Sequence, residues 1–308
     1  MITSIFKKSK ALNLLIVFFI TLLAFVKVRI TDYADIEISG LYIFKQIGLF
    51  LLCYATIALL NFIVRKNSLG KDTKYAMLLF SLFLLMLPET TNNTNILFSN
   101  VFILLALRRL LSLRSQLNVN KKLFDATFWI AIATLFYFWA ILFLPLIILL
   151  LLLYDDNKIN HWIIPFMGLA TVFVITTSIS LLCYGTFLGA FKSLPHVSFN
   201  YSNYNSATHW IAITIILSFG IWSSVFYVKS IKQKKKIFRK SFSSIFVAVL
   251  LSFIIIVLAP QKNSSEFLFM FAPLSIIIAN YIEVIQEKWF KELFLLLLIA
   301  APFVILML

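Results

Sequence analysis

The residues best suited to chemistry lie in the polar segment after the first apolar run, which reads RITDYADIE from residue 29 to residue 37. Asp32 and Asp35 are three residues apart, so a helical turn would place both on one face. A carboxylate there could act as a general base, or hold a divalent cation on a phosphate. The alternative is an ordinary solvated loop, in which Lys27 and Arg29 form local ion pairs with the acids.

A second candidate surface lies in the long polar segment from Tyr184 to Thr208, which is rich in aromatic residues separated by asparagines. Aromatic residues are favoured at the membrane interface, and this explains the composition without a specific function. The functional interpretation is a surface for a carbohydrate or a lipid headgroup, to which Lys192 and Tyr201 would contribute. Lys262 lies in a later polar segment on the same predicted side of the membrane.

Several classes of function are disfavoured by what the sequence contains. Its histidines, His161, His196 and His209, are predicted on both sides of the membrane, which argues against a His-ligated metal oxygenase. The sequence has no Gly-rich phosphate loop, zinc-protease motif or nucleophile elbow. Cys53 and Cys183 have no metal-binding spacing, and we expect no disulfide between them. Ionisable residues are nearly absent from the apolar runs, which disfavours a proton or ion pump.

The composition is that of a membrane protein. The 308 residues are 62% hydrophobic and only 13% charged, with a mean hydropathy of +0.99, whereas soluble domains carry about a quarter charged residues. The apolar runs are continuous, so we predict an all-α, polytopic transmembrane helix bundle rather than a barrel. We expect one integral membrane domain over residues 1–308. No small-residue cleavage site follows the first apolar run before Lys27, so we interpret that run as a retained span.

The apolar runs predict eleven spans, and one stretch decides the count. Phe124–Tyr154 is too long for a single crossing, which takes roughly 20 residues, and short for two. We predict that it forms two short helices with a turn or kink at Phe136–Trp139. The predicted spans are residues 11–28, 41–64, 75–88, 95–110, 124–137, 139–153, 161–182, 209–228, 243–260, 266–282 and 290–308.

The distribution of lysine and arginine supports two crossings in that stretch. With a cytoplasmic N-terminus, two crossings place 22 of the 27 basic residues in cytoplasmic segments, whereas one crossing gives 14 inside and 13 outside. Cytoplasmic loops are enriched in lysine and arginine. We therefore predict a multi-pass inner-membrane protein with a cytoplasmic N-terminus and a periplasmic C-terminus. The net charge of +15 is explained in the same way, so no nucleic-acid partner is expected.

Two stretches resemble a known family. Tyr75–Arg109, with its break at Pro88 and the run NILFSNVFILLALRR, is similar to the third and fourth spans of the multi-spanning lipid-linked sugar transferases of the GT-C fold. Phe124–Leu153, with the run LFYFWAILFLP, resembles the hairpin that follows there. The chain departs from that pattern by having tyrosine at position 137, where a lysine is common, and asparagines at positions 92, 93 and 95, where an acid is common. The whole chain also resembles an uncharacterised Bacteroidota family of multi-spanning inner-membrane proteins.

The resemblance implies a GT-C-like first half and a transferase that acts on a polyprenyl-phosphate-linked sugar at the outer face. Asp32 or Asp35 matches the position of the catalytic carboxylate of that family, with a divalent cation as a candidate cofactor. Lys192, Lys262 and Tyr201 would bind the substrate, the lysines at the carrier phosphate. The alternative is a non-enzymatic scaffold or assembly partner of other membrane proteins in an envelope complex. Membrane lipids are expected partners under both hypotheses.

Overall fold

The computed structural model of the chain describes residues 6, 11–32, 39–71, 73–154, 159–187, 189 and 196–307, with backbone only at residues 31 and 32. Over these ranges the chain is helical and contains no strand. Its α-helices are α1 (Ala11–Asp32), α2 (Gly40–Asn67), α3 (Tyr75–Met86), α4 (Thr94–Ser112), α5 (Val119–Phe136), α6 (Leu144–Tyr154), α7 (Ile159–Tyr184), α8 (Ala207–Ile231), α9 (Lys236–Leu258), α10 (Leu268–Val284) and α11 (Lys288–Met307).

Apolar helices identify the chain as a multi-pass integral membrane protein. Within the described ranges, eight helical segments are long and apolar enough to cross a bilayer: Ala11–Ile30, Gly40–Asn67, Thr94–Ser115, Ile159–Tyr184, Ala207–Ile231, Lys236–Leu258, Ser265–Val284 and Lys288–Met307. Two further apolar segments are shorter, Tyr75–Met86 and Phe138–Tyr154. The count of eleven spans and the GT-C-like architecture stay predictions.

Proline and an extended residue create the two helix breaks that the sequence indicates. Helix α3 ends at Met86 because Pro88 disfavours helical geometry at Leu87, whose φ and ψ are −126° and 72°. A 3₁₀ helix, Pro88–Thr91, follows. Helix α5 ends at Phe136, where Tyr137 is extended at φ −145° and ψ 108°, and the 3₁₀ helix Phe138–Phe143 leads into α6. The predicted break at Phe136–Trp139 is therefore confirmed.

The chain divides into two compact units, of which unit 1 comprises residues 1–97, 200–234 and 262–308. Helix α3 is buried along its whole length, and α10 is buried from Leu268 to Ile282. These two helices pack against each other, with Phe80 and Phe271 meeting edge to face at 6.0 Å between ring centroids. Helices α1, α2 and α11 pack on α3, and α8 packs on α10. At about 18 Å, α3 is too short to cross a bilayer of about 30 Å by itself. It is buried because helices α1, α2, α10 and α11 pack against it.

Unit 2 comprises residues 98–199 and 235–261. Its most extensive packing is between α5 and α7, where Gly168 allows close approach: an added Cβ would lie 2.9 Å from Thr127 Cβ and 3.2 Å from the Phe124 carbonyl oxygen. Small residues permit this kind of approach between membrane helices. Helix α9 packs against α6 and the 3₁₀ helix before it. The expectation of one integral membrane domain stays a prediction beside this division into units.

Candidate functional site at one end of unit 1

A buried carboxylate lies at the start of the central helix of unit 1. Glu266 is in the 3₁₀ helix Ser265–Phe267, directly before α10, and its exposed fraction is 0%. The hydroxyl of Tyr204, which is also buried, donates a hydrogen bond to Glu266 Oε1. Glu266 Oε2 and the buried hydroxyl of Ser264 have no hydrogen-bond partner among the described residues. A buried polar atom without a partner is uncommon in folded proteins, so these two oxygens mark a position suited to a bound polar group.

A buried lysine lies close to this carboxylate in the chain. Lys262 is only 1% exposed, and its Nζ is 4.7 Å from the centroid of the Tyr201 ring. The rings of Tyr201 and Tyr204 are 6.3 Å apart. Burial lowers the pKa of Lys262, and the negative charge of Glu266 acts in the opposite direction. An ammonium held on an aromatic face and near a carboxylate is a cation positioned for an anionic group such as phosphate.

A second acid and a histidine extend the polar cluster. His209 Nε2 lies 3.7 Å from Glu89 Oε2. The hydroxyl of Ser206 caps α8 by accepting a hydrogen bond from the His209 amide at 3.2 Å, and the same hydroxyl contacts His209 Nδ1. Ser265 Oγ donates to the Glu89 carbonyl oxygen at 3.2 Å. The His209–Glu89 contact and the Ser265–Glu89 hydrogen bond connect the start of α8, the segment before α10 and the 3₁₀ helix after α3.

Arg29 joins the end of helix α1 to the same cluster. Its Nη1 donates to Thr91 Oγ1 at 2.6 Å, and its Nη2 donates to the Thr91 carbonyl oxygen at 2.8 Å. Its Nε donates to Gln46 Oε1 at 3.2 Å. Helix α1 ends three residues later, at Asp32, about one helical turn beyond Arg29. The Arg29 contacts therefore join the last turn of α1 to α2 and to the 3₁₀ helix after α3.

The structure describes two of the predicted site residues in full and leaves three undescribed in whole or in part. Lys262 and Tyr201 are in contact, as a shared substrate surface requires, although their role stays a prediction. Asp35 and Lys192 lie outside the described residues, and so does the side chain of Asp32. The roles predicted for these three residues therefore also stay predictions.

Four members of the cluster, Glu89, Tyr204, His209 and Glu266, were not predicted as site residues. Glu89 and Glu266 suit a turn and a helix start, Tyr204 suits an aromatic loop at the membrane interface, and His209 lies at the end of a predicted span. The predicted topology was a usable signal, because it places all four on the same side of the membrane as Lys262.

The other end of α10 carries a polar cluster of a different kind. Glu283 Oε2 accepts a hydrogen bond from the Lys71 amide at 2.8 Å, and Glu283 Oε1 accepts one from Thr73 Oγ1 at 2.5 Å. Asn280 Nδ2 donates to the Leu69 carbonyl oxygen at 2.7 Å. Both carboxylate oxygens of Glu283 are hydrogen-bonded, so this cluster fastens the segment after α2 to α10. Glu283 differs in this respect from Glu266, one of whose carboxylate oxygens has no partner among the described residues.

The chemistry open to the site follows from its groups. A carboxylate oxygen without a partner can accept a proton, or a hydrogen bond that a hydroxyl group donates, and a buried ammonium can pair with a phosphate. Within the described residues, no group of three or more His, Cys, Asp or Glu side chains is placed to hold a metal ion. The sequence predicted a divalent cation at Asp32 and Asp35, and the structure does not describe the side chains of these two residues.

The fold and the site thus define an integral, multi-pass, all-helical membrane protein with a buried polar cluster at one end of its first unit. Residues 1–307 match the model of a family of unknown function, DUF6427, and the chain belongs to this family. This agrees with the expectation of an uncharacterised family of membrane proteins. Neither the curated proteins nor the solved structures contain a match.

Proposed function

We propose that this protein is an inner-membrane transferase that moves a glycan from a polyprenyl-phosphate carrier at the outer face. One observation carries the proposal: polar contacts at one end of unit 1 bring Arg29, at the end of α1, and the buried Glu266, at the start of α10, to the same 3₁₀ helix or its neighbours. Burying a lysine and a carboxylate in such surroundings is costly, so functional groups are a common reason for keeping them there.

The predicted topology supports the assignment to the outer face. Eleven spans with a cytoplasmic N-terminus place the end of α1 and the segments before α8 and α10 outside. The same topology places the Glu283 cluster inside. Every residue of the proposed site would therefore face the compartment in which lipid-linked glycans are transferred.

The proposed reaction assigns a separate role to each group. A carboxylate, Asp32 or Asp35, accepts the proton of an acceptor hydroxyl as the new glycosidic bond forms. The bond between the sugar and the carrier phosphate breaks, and the carrier leaves as a phosphate whose negative charge Lys262 stabilises. Glu266, oriented by the Tyr204 hydroxyl, holds the acceptor through the carboxylate oxygen that has no partner within the described chain.

A deletion strain tests the proposal. We expect mass spectrometry of its lipid extract to show an accumulated polyprenyl-phosphate-linked sugar, which the wild-type gene removes. The double variant Asp32→Asn/Asp35→Asn should fail to remove it, since losing a general base lowers rates by a factor on the order of 100 or more. Its abundance in the membrane should be normal, because the sequence predicts both acids in a polar loop, and loop substitutions in contact with water usually change stability by about 0.5 kcal/mol or less.

A matched pair of variants tests the buried acid. Glu266→Gln should restore the lipid pool poorly at wild-type protein abundance, whereas Glu283→Gln should restore it fully, because both Glu283 oxygens already bond within the chain. Full complementation by the Asp32→Asn/Asp35→Asn variant would contradict the transferase and favour the scaffold. A deletion strain with an unchanged lipid-linked pool would have the same consequence.

A further inference from the structure

One end of unit 2 carries nine basic residues among those that the structure describes. Four segments contribute to it: the end of α4 with the 3₁₀ helix Leu113–Ser115, the start of α5, the end of α6 and the start of α9. The described acidic residue of this end is Asp125, which forms an ion pair with Arg109 at 3.0 Å. The basic residues are Arg108, Arg109, Arg114, Lys121, Lys122, Lys235, Lys236, Arg239 and Lys240.

Side-chain contacts hold these segments together. Lys122 Nζ donates to the Ser112 carbonyl oxygen at 2.7 Å and to Ser115 Oγ at 2.6 Å. The guanidinium carbon of Arg114 lies 4.5 Å from the centroid of the Phe238 ring. In the same way Lys240 Nζ lies 4.3 Å from the Tyr154 ring centroid. The cations therefore belong to one folded surface, which we call the basic end of unit 2.

Exposed apolar side chains accompany these cations. Leu117, which follows the 3₁₀ helix, is 69% exposed, and Ile237, in the first turn of α9, is 56% exposed. Both lie beside the lysines and arginines at the ends of apolar helices. A surface that offers cations and exposed aliphatic groups together, where helices leave the apolar region, has the composition of a membrane-interface site. A water-borne polyanion would make no use of the aliphatic groups.

We propose that the basic end of unit 2 binds the phosphate headgroups of anionic phospholipids. Arg114, Lys121 and Arg239 supply charge-assisted hydrogen bonds to phosphate oxygens, and the guanidinium groups bind phosphate in bidentate geometry. Leu117 and Ile237 pack against the acyl chains close to the headgroup. A diphosphate lipid such as cardiolipin fits best, because several cations are spread over one surface.

The test uses the purified full-length protein, titrated with cardiolipin or with phosphatidylcholine and followed by native mass spectrometry. We expect cardiolipin to be retained and phosphatidylcholine to dissociate. The triple variant Arg114→Gln/Lys121→Gln/Arg239→Gln should bind cardiolipin on the order of 100-fold more weakly, about fivefold for each lost cation. The control Lys229→Gln/Lys232→Gln/Lys288→Gln removes the same charge from unit 1 and should bind like wild type.

Two further arms keep the result interpretable. Arg114→Lys preserves the charge but not the bidentate geometry, so it should bind cardiolipin more tightly than Arg114→Gln and more weakly than wild type; Arg114→Lys binding no better than Arg114→Gln would contradict a role for the charge of residue 114. Inorganic phosphate at millimolar concentration should not displace the lipid; displacement would assign the surface to free phosphate and overturn the proposal. Equal weakening by the triple variant and the unit 1 control would also overturn it, since the effect would then follow net charge alone.

Discussion

Arg29 shows how one side chain can join segments that are distant in the sequence. Its guanidinium donates two hydrogen bonds to Thr91, 62 residues away, and one to Gln46 on α2. The same group lies 3.7 Å above the Phe25 ring, where cation–π attraction adds to the hydrogen bonds. Only a planar, forked cation can make all of these contacts at once. Arg29 therefore links the end of α1 to α2 and to the 3₁₀ helix after α3.

Replacing this arginine by lysine should reduce stability. Arg29→Lys keeps the charge but cannot donate to both Thr91 oxygens and to Gln46, so we expect a loss of about 1–3 kcal/mol. Thermal unfolding of the detergent-solubilised protein measures this as a lower Tm. Arg239→Lys, at an exposed position, is the control and should leave Tm unchanged. Equal Tm values for both variants would show that Arg29 does not fix the end of α1.

Residue types alone could predict only part of the site. Lys262 and Tyr201 were predicted as substrate-binding residues because a lysine and an aromatic residue in outer segments suit a phosphorylated lipid. Glu266 was not predicted, because its burial depends on Tyr204, 62 residues earlier, and on packing of the segments around it. A sequence indicates which side chains are polar, but the fold decides which of them lose their contact with water.

At the scale of helices, the sequence was more informative. Each predicted span overlaps one helix; residues 209–228, for instance, lie within Ala207–Ile231. The apolar runs are long, and proline or polar residues end them, so helix positions follow from local chemistry. The packing of these helices does not, because it depends on which surfaces are complementary in shape. The complete burial of α3 is an example.

Gly168 provides a test of helix packing in unit 2. Gly168→Ala would place a methyl group 2.9 Å from Thr127 Cβ and 3.2 Å from a backbone oxygen on α5, so α5 and α7 must separate. We expect a loss of about 1–3 kcal/mol, measured as a lower Tm. Gly48→Ala on α2 is the matched control, because an added Cβ there has no atom within 4 Å and alanine favours the helix. A Tm for Gly168→Ala at or above that of Gly48→Ala would contradict the close α5–α7 contact.

At the scale of the whole molecule, orientation decides whether the proposed function is feasible. The predicted topology places the basic segment Lys229–Lys240 in the cytoplasm, and it follows from the positive-inside bias rather than from any single helix. Reporter fusions after Lys240 and after Leu308 should report the cytoplasm and the periplasm, respectively. Both reporters on one side would exclude the eleven-span topology.

The most direct test of the central claim is the side of the membrane on which the polar cluster lies. Asn263 is exposed next to Lys262, and Gln233 is exposed after α8, so each can be replaced by cysteine after the exposed Cys183 has been changed to serine. We predict that a membrane-impermeant maleimide labels Asn263→Cys in spheroplasts with an intact inner membrane. Gln233→Cys should be labelled only after that membrane is permeabilised. The reverse pattern would place Glu266 and Lys262 on the cytoplasmic side and would contradict a transferase acting at the outer face.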